Sequence, residues 1–151
     1  MSEQKVGPKG AGLEGGNMYY FAHPYTVRDK TGRHLAIGQE ANFRLCCIRA
    51  AQLLRRGFLL YAPICHTHPI HVASPEFLAS EEYALWLQLD NAIIAGTAWA
   101  GIILAPGWEQ SSGCRAERAI FEKRGLKVLL YSNCLRLPIT YTTEKSDAAD
   151  R

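Results

Sequence analysis

Four short runs rich in apolar, β-branched and aromatic residues, at 18–22, 58–62, 98–105 and 127–131, are separated by longer stretches in which apolar residues return every three or four positions. Runs of nearly continuous apolar character are typical of strands covered on both faces. Between 34 and 56, Phe43, Cys46, Cys47, Ala50, Leu53 and Leu54 mark one face of a helix, and Gly57 marks its stop. Residues 76–95 and 113–124 give two further helices, the second ending at Gly125. This alternation predicts an α/β fold, with a parallel sheet, right-handed crossovers and helices on both faces. Ligands bind such sheets beyond the carboxyl ends of the strands, so chemistry is expected in segments 23–30, 63–75 and 106–113.

At 151 residues and 48% hydrophobic, the chain can bury one domain core. Its charge, 17 Lys plus Arg against 14 Asp plus Glu, is too balanced to predict binding to a nucleic acid polymer. No apolar run approaches the roughly 18 to 20 residues of a membrane span, so no membrane partner and a cytoplasmic location are expected. Five cysteines without CxxC spacing predict reduced thiols rather than a disulfide framework or a thiolate zinc site. Residues 1–17 hold five of the thirteen glycines and almost no large apolar side chain, which predicts a flexible leader; 144–151 reads as a frayed tail, leaving 18–143 as the domain. Gly10-Ala11-Gly12-Leu13-Glu14-Gly15 spells the GxGxxG of a dinucleotide loop, but no strand precedes it and the match is rejected.

Two acids stand on apolar helix faces. On the helix at 76–95, a polar or small stripe runs through Glu81, Ala84, Gln88, Asn91 and Ala95, whereas Asp90 lies opposite it, a turn from Trp86, Leu87, Ile93 and Ile94. Either it reaches solvent at the helix end, or it faces a pocket. On 113–124, Arg115, Arg118 and Glu122 form the wet face, and Glu117 projects between Ile120 and Phe121. Placed in the first turn, Glu117 is expected to be kept ionised by the helix-start amides, as a nucleophile requires; the simpler role is to offset the helix dipole. Ser111, Ser112 and Gly113 leave N–H groups open to a phosphate or hydroxyl, and Ser112 alternatively serves as an N-cap.

Cys65-His66-Thr67-His68-Pro69-Ile70-His71 places three histidines and a thiol after a strand. Pro69 interrupts the segment and neither HExxH nor CxxC accompanies it, so it is read as a shaped loop in which His66 and His68 contact substrate, with no metal or other cofactor. A metal-dependent hydrolase using this loop stays as a rival.

The elements Tyr20-Phe21-Ala22-His23-Pro24-Tyr25, Tyr61 through Ile70, Trp86 through Asp90, and Pro106 through Glu117 together resemble the nucleoside 2-deoxyribosyltransferase superfamily, most closely its small bacterial and phage branch with a histidine loop. The likeness covers about residues 18–131. It implies a flavodoxin-like three-layer sandwich with a mainly parallel five-stranded sheet. It also implies a Glu117 nucleophile that attacks C1′ of a nucleoside sugar, and an Asp90 that contacts the base or helps it depart. Tyr20 and Tyr25 would lie at the mouth of the first strand, Trp108 in the loop before the Ser-Gly element, and the family's pockets are commonly completed by a second copy of the chain. Three departures stand out: His23 where relatives carry Gly or Ser, Ala98 where close relatives often carry Asp, and Ser111 where deoxyribosyltransferases place an acid for the sugar 5′-hydroxyl. The last favours a 5′-phosphate, to which Arg115 would add charge. The expected function is therefore an N-glycosidase or deoxyribosyltransferase acting on nucleosides or nucleoside 5′-monophosphates, with a non-catalytic nucleotide sensor as the rival from another class.

Overall fold

The computed structural model of the chain describes residues 16–33, 35–73 and 82–140. The GxGxxG spelling, most of the leader, the segment 76–81 and the tail at 144–151 lie outside the described residues.

The two central strands, β1 (Met18–Ala22) and β3 (Trp99–Leu104), are the two most apolar runs, and they pair in parallel from Tyr19↔Gly101 to Ala22↔Leu104. β2 (Leu59–Tyr61) flanks β1 and β4 (Lys127–Leu130) flanks β3, both parallel, giving the order β2-β1-β3-β4. The crossovers carry α1 (Ala36–Leu54), α2 (Pro63–Ala73) with α3 (Glu82–Gly96), and α4 (Ser112–Lys123), which follows a short 3₁₀ turn at Trp108–Gln110. A one-turn helix, α5 (Tyr131–Cys134), follows β4. The sheet thus has four strands among the described residues, not the five that the resemblance implied. Among the described residues after Tyr131, Leu135, Leu137 and Ile139 are separated by Arg136 and Pro138, and the proline cannot donate to a sheet ladder.

Period-two alternation in β1 divides the core. Tyr20 and Ala22 face one side with Ile94, Trp99, Ile102, Leu104, Cys114 and Phe121, against α3 and α4. Phe21 faces the other with Cys46, Ala50, Leu53, Ile103 and Tyr131, against α1 and α5. Gly57 at φ 86° and Gly125 at φ 69° end α1 and α4 in the left-handed region, where a side chain would be strained.

The histidine segment is a helix, not a loop. Pro63 opens α2, where its missing N–H costs nothing, and the helix continues through Pro69, which lies two turns in and is exposed. Ile64 and His68, four residues apart, are both buried. That packing offsets the hydrogen bond Pro69 cannot donate, and the proline read as a breaker is overridden. No helix among the described residues is long and apolar enough to cross a membrane.

Strand order reverses direction between β1 and β3, so the crevice at their carboxyl ends is the topological switch point of the sheet. His23, the Pro106–Gln110 turn and the start of α4 all emerge there.

Candidate functional site: a carboxylate pair beside a basic cleft

Ser111 caps α4, its hydroxyl oxygen accepting the backbone N–H of Cys114 at 3.3 Å. The helix then turns Cys114, Glu117 and Phe121 toward the sheet at spacings of three and four. Glu117 lies in the second turn, and no acid occupies the first. The helix-start amides therefore do not hold it ionised as expected. Burial instead pushes its pKa up to about 7, with the negative charge of Asp90 adding to the rise and a hydrogen bond from Tyr20 opposing it.

That hydrogen bond is the centre of the site. The Tyr20 hydroxyl donates to Oε1 of Glu117 across 2.7 Å. The Tyr20 ring is wholly buried among Tyr61, Trp99 and Phe121. It offers no face for stacking a base or sugar at the strand mouth. Burial and the two nearby carboxylates raise its pKa far above the ordinary tyrosine range, so it remains a donor.

Asp90, on the turn of α3 above Ile94, carries a buried Oδ1 with no hydrogen-bond partner among the described residues, and the same holds for the Tyr61 hydroxyl. Burial pushes Asp90 up to about 6, moderated by His66. Its buried Oδ1 speaks against a carboxylate that simply reaches solvent at the helix end, while the pocket it was expected to face is not the cleft at the switch point, which Asp90 does not line. Two carboxyls of raised pKa, a buried phenol bonded to one of them and the unpartnered Tyr61 phenol have the chemistry for nucleophilic and proton-transfer steps.

The second half lies across β1. An open cleft of about 450 Å³ at the switch point is lined by His23, Arg28, Asn42, Arg49, Gln110 and Ser111, among others, and by no carboxylate. His23 is buried, with Nδ1 donating to the Pro24 carbonyl at 2.8 Å and Nε2 accepting from the Arg49 guanidinium at 2.9 Å. Burial lowers its pKa, the Pro24 hydrogen bond opposes that, and the Arg49 charge lowers it further, so the ring is neutral. His23 thereby holds Arg49 at the cleft. α4 joins the two halves, since its cap Ser111 faces the cleft and its second turn carries Glu117.

The remaining expected residues are placed differently. His68 is buried, with Nδ1 bonded to the Tyr25 hydroxyl at 2.7 Å and Nε2 to Glu40 at 2.7 Å, its ring stacked on Phe43. Tyr25 and His68 thus tie the segment after β1 to α1 and α2. His66 is exposed and lies near the Tyr61 ring, 6.5 Å between centroids. Two residues apart on a helix, His66 and His68 point nearly opposite ways, and no group of three or more His, Cys, Asp or Glu among the described residues could hold a metal ion. Trp108 has one face covered by the Arg118 guanidinium at 4.6 Å. Ser112 and Gly113 are exposed at the start of α4. Arg115 turns away to the Glu109 carbonyl and does not line the cleft.

Arg28, Asn42, Arg49 and Gln110 were not expected as site residues. The usable signal was Arg49 itself, a cation at the edge of the apolar stripe formed by Cys46, Ala50 and Leu53.

No curated protein matches the chain. A family described as "Domain of unknown function (DUF1937)" matches residues 17–133, well over half of the sequence, and the chain therefore belongs to that family.

Proposed function

We propose that the protein is an N-glycosidase or deoxyribosyltransferase acting on nucleosides or nucleoside 5′-monophosphates without a cofactor. The observation that carries this reading is the buried constellation of Glu117, hydrogen-bonded by Tyr20, with Asp90 close enough to perturb both.

The reaction divides between the two acids. Glu117 attacks C1′ as the carboxylate, forming a glycosyl ester while the C1′–N bond breaks and its electron pair leaves with the base. Asp90, protonated, delivers a proton to the departing base. Water or a second base then attacks C1′ and releases Glu117. Tyr20 holds Oε1 in place, so the free Oε2 is the attacking oxygen. The two arginines and Ser111 would receive a 5′-phosphate in the switch-point cleft. A second copy of the chain is part of the reading: α3 is anchored at its C-terminal end, where the Ile94 carbonyl accepts from Trp99 and Arg124, while Leu85 and Leu87 on its earlier turns are exposed.

The deciding experiment is incubation with a panel of ribo- and deoxyribonucleosides and their 5′-monophosphates, with free base measured by chromatography. Release of base from one class supports the reading. Saturable binding without release would instead make the protein a nucleotide sensor.

A further inference from the structure

Three of the five cysteines meet where α1 packs on α2, outside the carboxylate site. Cys46 and Cys47 are adjacent on α1, and Cys65 is the third residue of α2. The Cys65 sulfur lies 3.5 Å from that of Cys47 and 3.8 Å from that of Cys46. All three are free thiols; Cys46 is buried, while Cys47 and Cys65 are partly open. We propose that Cys65 is a modification site for hydroperoxides, oxidised to a sulfenic acid that Cys47 resolves into a disulfide joining α1 to α2.

Geometry assigns the roles. Cys65 sits in the first turn of the eleven-residue α2, partly open to solvent, with its sulfur between those of Cys46 and Cys47. Its contacts with the Cys46 and Cys47 thiols hold its pKa below the ordinary thiol range, against burial. Cys47 has the opposite character: burial and the Cys65 thiolate push it up to about 11, and the Glu40 carboxylate contributes to the rise. A thiolate that attacks and a thiol that waits therefore stand in contact. Cys46 is fully enclosed in the core with Phe21, Ala50 and Leu53, and its sulfur is the farther of the two from Cys65, so the nearer and partly open Cys47 is the resolving thiol.

The chemistry balances with the peroxide as oxidant. The Cys65 thiolate attacks one peroxide oxygen, the O–O bond breaks, and hydroxide leaves with Cys65 as S–OH. Cys47 sulfur then attacks Cys65 sulfur, the S–OH bond breaks, and the departing oxygen takes the Cys47 proton to leave as water. Closing 3.5 Å to the roughly 2.05 Å of an S–S bond requires rotation of two side chains that are already in contact. The next residue after Cys65 is His66, whose charge acts on Asp90, so the cross-link pins the helix turn that carries it.

The test needs no substrate. The full-length reduced chain is treated with excess hydrogen peroxide, unfolded with iodoacetamide and weighed intact. The expected product has three alkylated thiols instead of five, a mass lower by two hydrogens before alkylation, a peptide linking Cys47 to Cys65, and full reversal by dithiothreitol. In Cys47→Ser, Cys65 should remain as a sulfenic acid trapped by dimedone. Five alkylatable thiols after treatment, a link from Cys65 to Cys46, or a link between chains would each overturn the proposal.

Discussion

The Tyr20 hydroxyl donates to Glu117 Oε1 across 2.7 Å, from a ring that has no exposure to solvent. The donor comes from the central strand and the acceptor from the second turn of α4, 97 residues away in sequence. Because the phenol cannot ionise near neutral pH, it favours the carboxylate form of Glu117 while burial favours the acid form. The balance leaves Glu117 near half ionisation at neutral pH.

Glu117→Gln should abolish base release, by at least about 10³-fold in kcat, while leaving ligand affinity within a fewfold, because the amide keeps the shape and loses the nucleophile. Asp90→Asn should cost less, about 10²-fold, as is typical for the loss of an acid. Steady-state kinetics with paired binding measurements check both. Turnover of Glu117→Gln within tenfold of the parent would remove the nucleophile assignment.

The pH profile of kcat/KM should be a narrow bell. The productive form carries an ionised Glu117, which titrates near 7, and a protonated Asp90, which titrates near 6, so it is a minority species peaking between those values. Tyr20→Phe removes the donor that favours the Glu117 carboxylate. The higher apparent pKa should therefore move upward and the peak rate fall by about tenfold, the loss of one hydrogen bond to a charged group. A profile that is flat from about pH 5 to 9, or unmoved in Tyr20→Phe, would contradict the roles.

Nucleoside 5′-monophosphates should be used with kcat/KM at least about 10-fold above the matching nucleosides, about 1.4 kcal/mol, a modest demand on charge-assisted hydrogen bonds. Arg49→Ala should collapse that ratio toward one, since Arg49 is the cation that His23 holds at the cleft. Arg115→Ala, which alters a residue directed at the Glu109 carbonyl, should leave it unchanged. Preference for the free nucleoside would show that Ser111 reads a hydroxyl.

Stability should carry the opposite pH signature from a salt-bridged acid. The pKa of Glu117 rises from 4.5 in the unfolded chain to about 7 in the fold. Between those values the folded state binds a proton that the unfolded state releases, so stability falls as pH rises, and the penalty is complete above about 7. Glu117→Gln removes it, adding on the order of 2 kcal/mol at pH near 8 and little at pH near 4. Thermal melts at the two pH values check this; an equal shift at both would place the effect elsewhere.

Sequence pattern was enough for the four strands, for helices α1 and α4, and for the C-terminal part of α3, because each is a local periodicity of apolar residues seen against Gly stops. It was also enough to single out Asp90 and Glu117, since an acid on an apolar helix face is visible without knowing what the face meets. Pattern failed at Pro63–Ala73, where the proline rule is local but the burial of Ile64 and His68 that overrides it is not. It failed as well for Arg49, whose use depends on His23 from another element, and for the protonation of Glu117. Whether a carboxyl is ionised depends on which distant groups exclude water from it and which donate to it, and only the folded chain brings Tyr20, Asp90 and Glu117 together. The sequence by itself determined the order of elements and which side chains were misplaced for simple packing; tertiary structure alone decided their partners, because desolvation and hydrogen bonding act between residues that the chain separates by tens of positions.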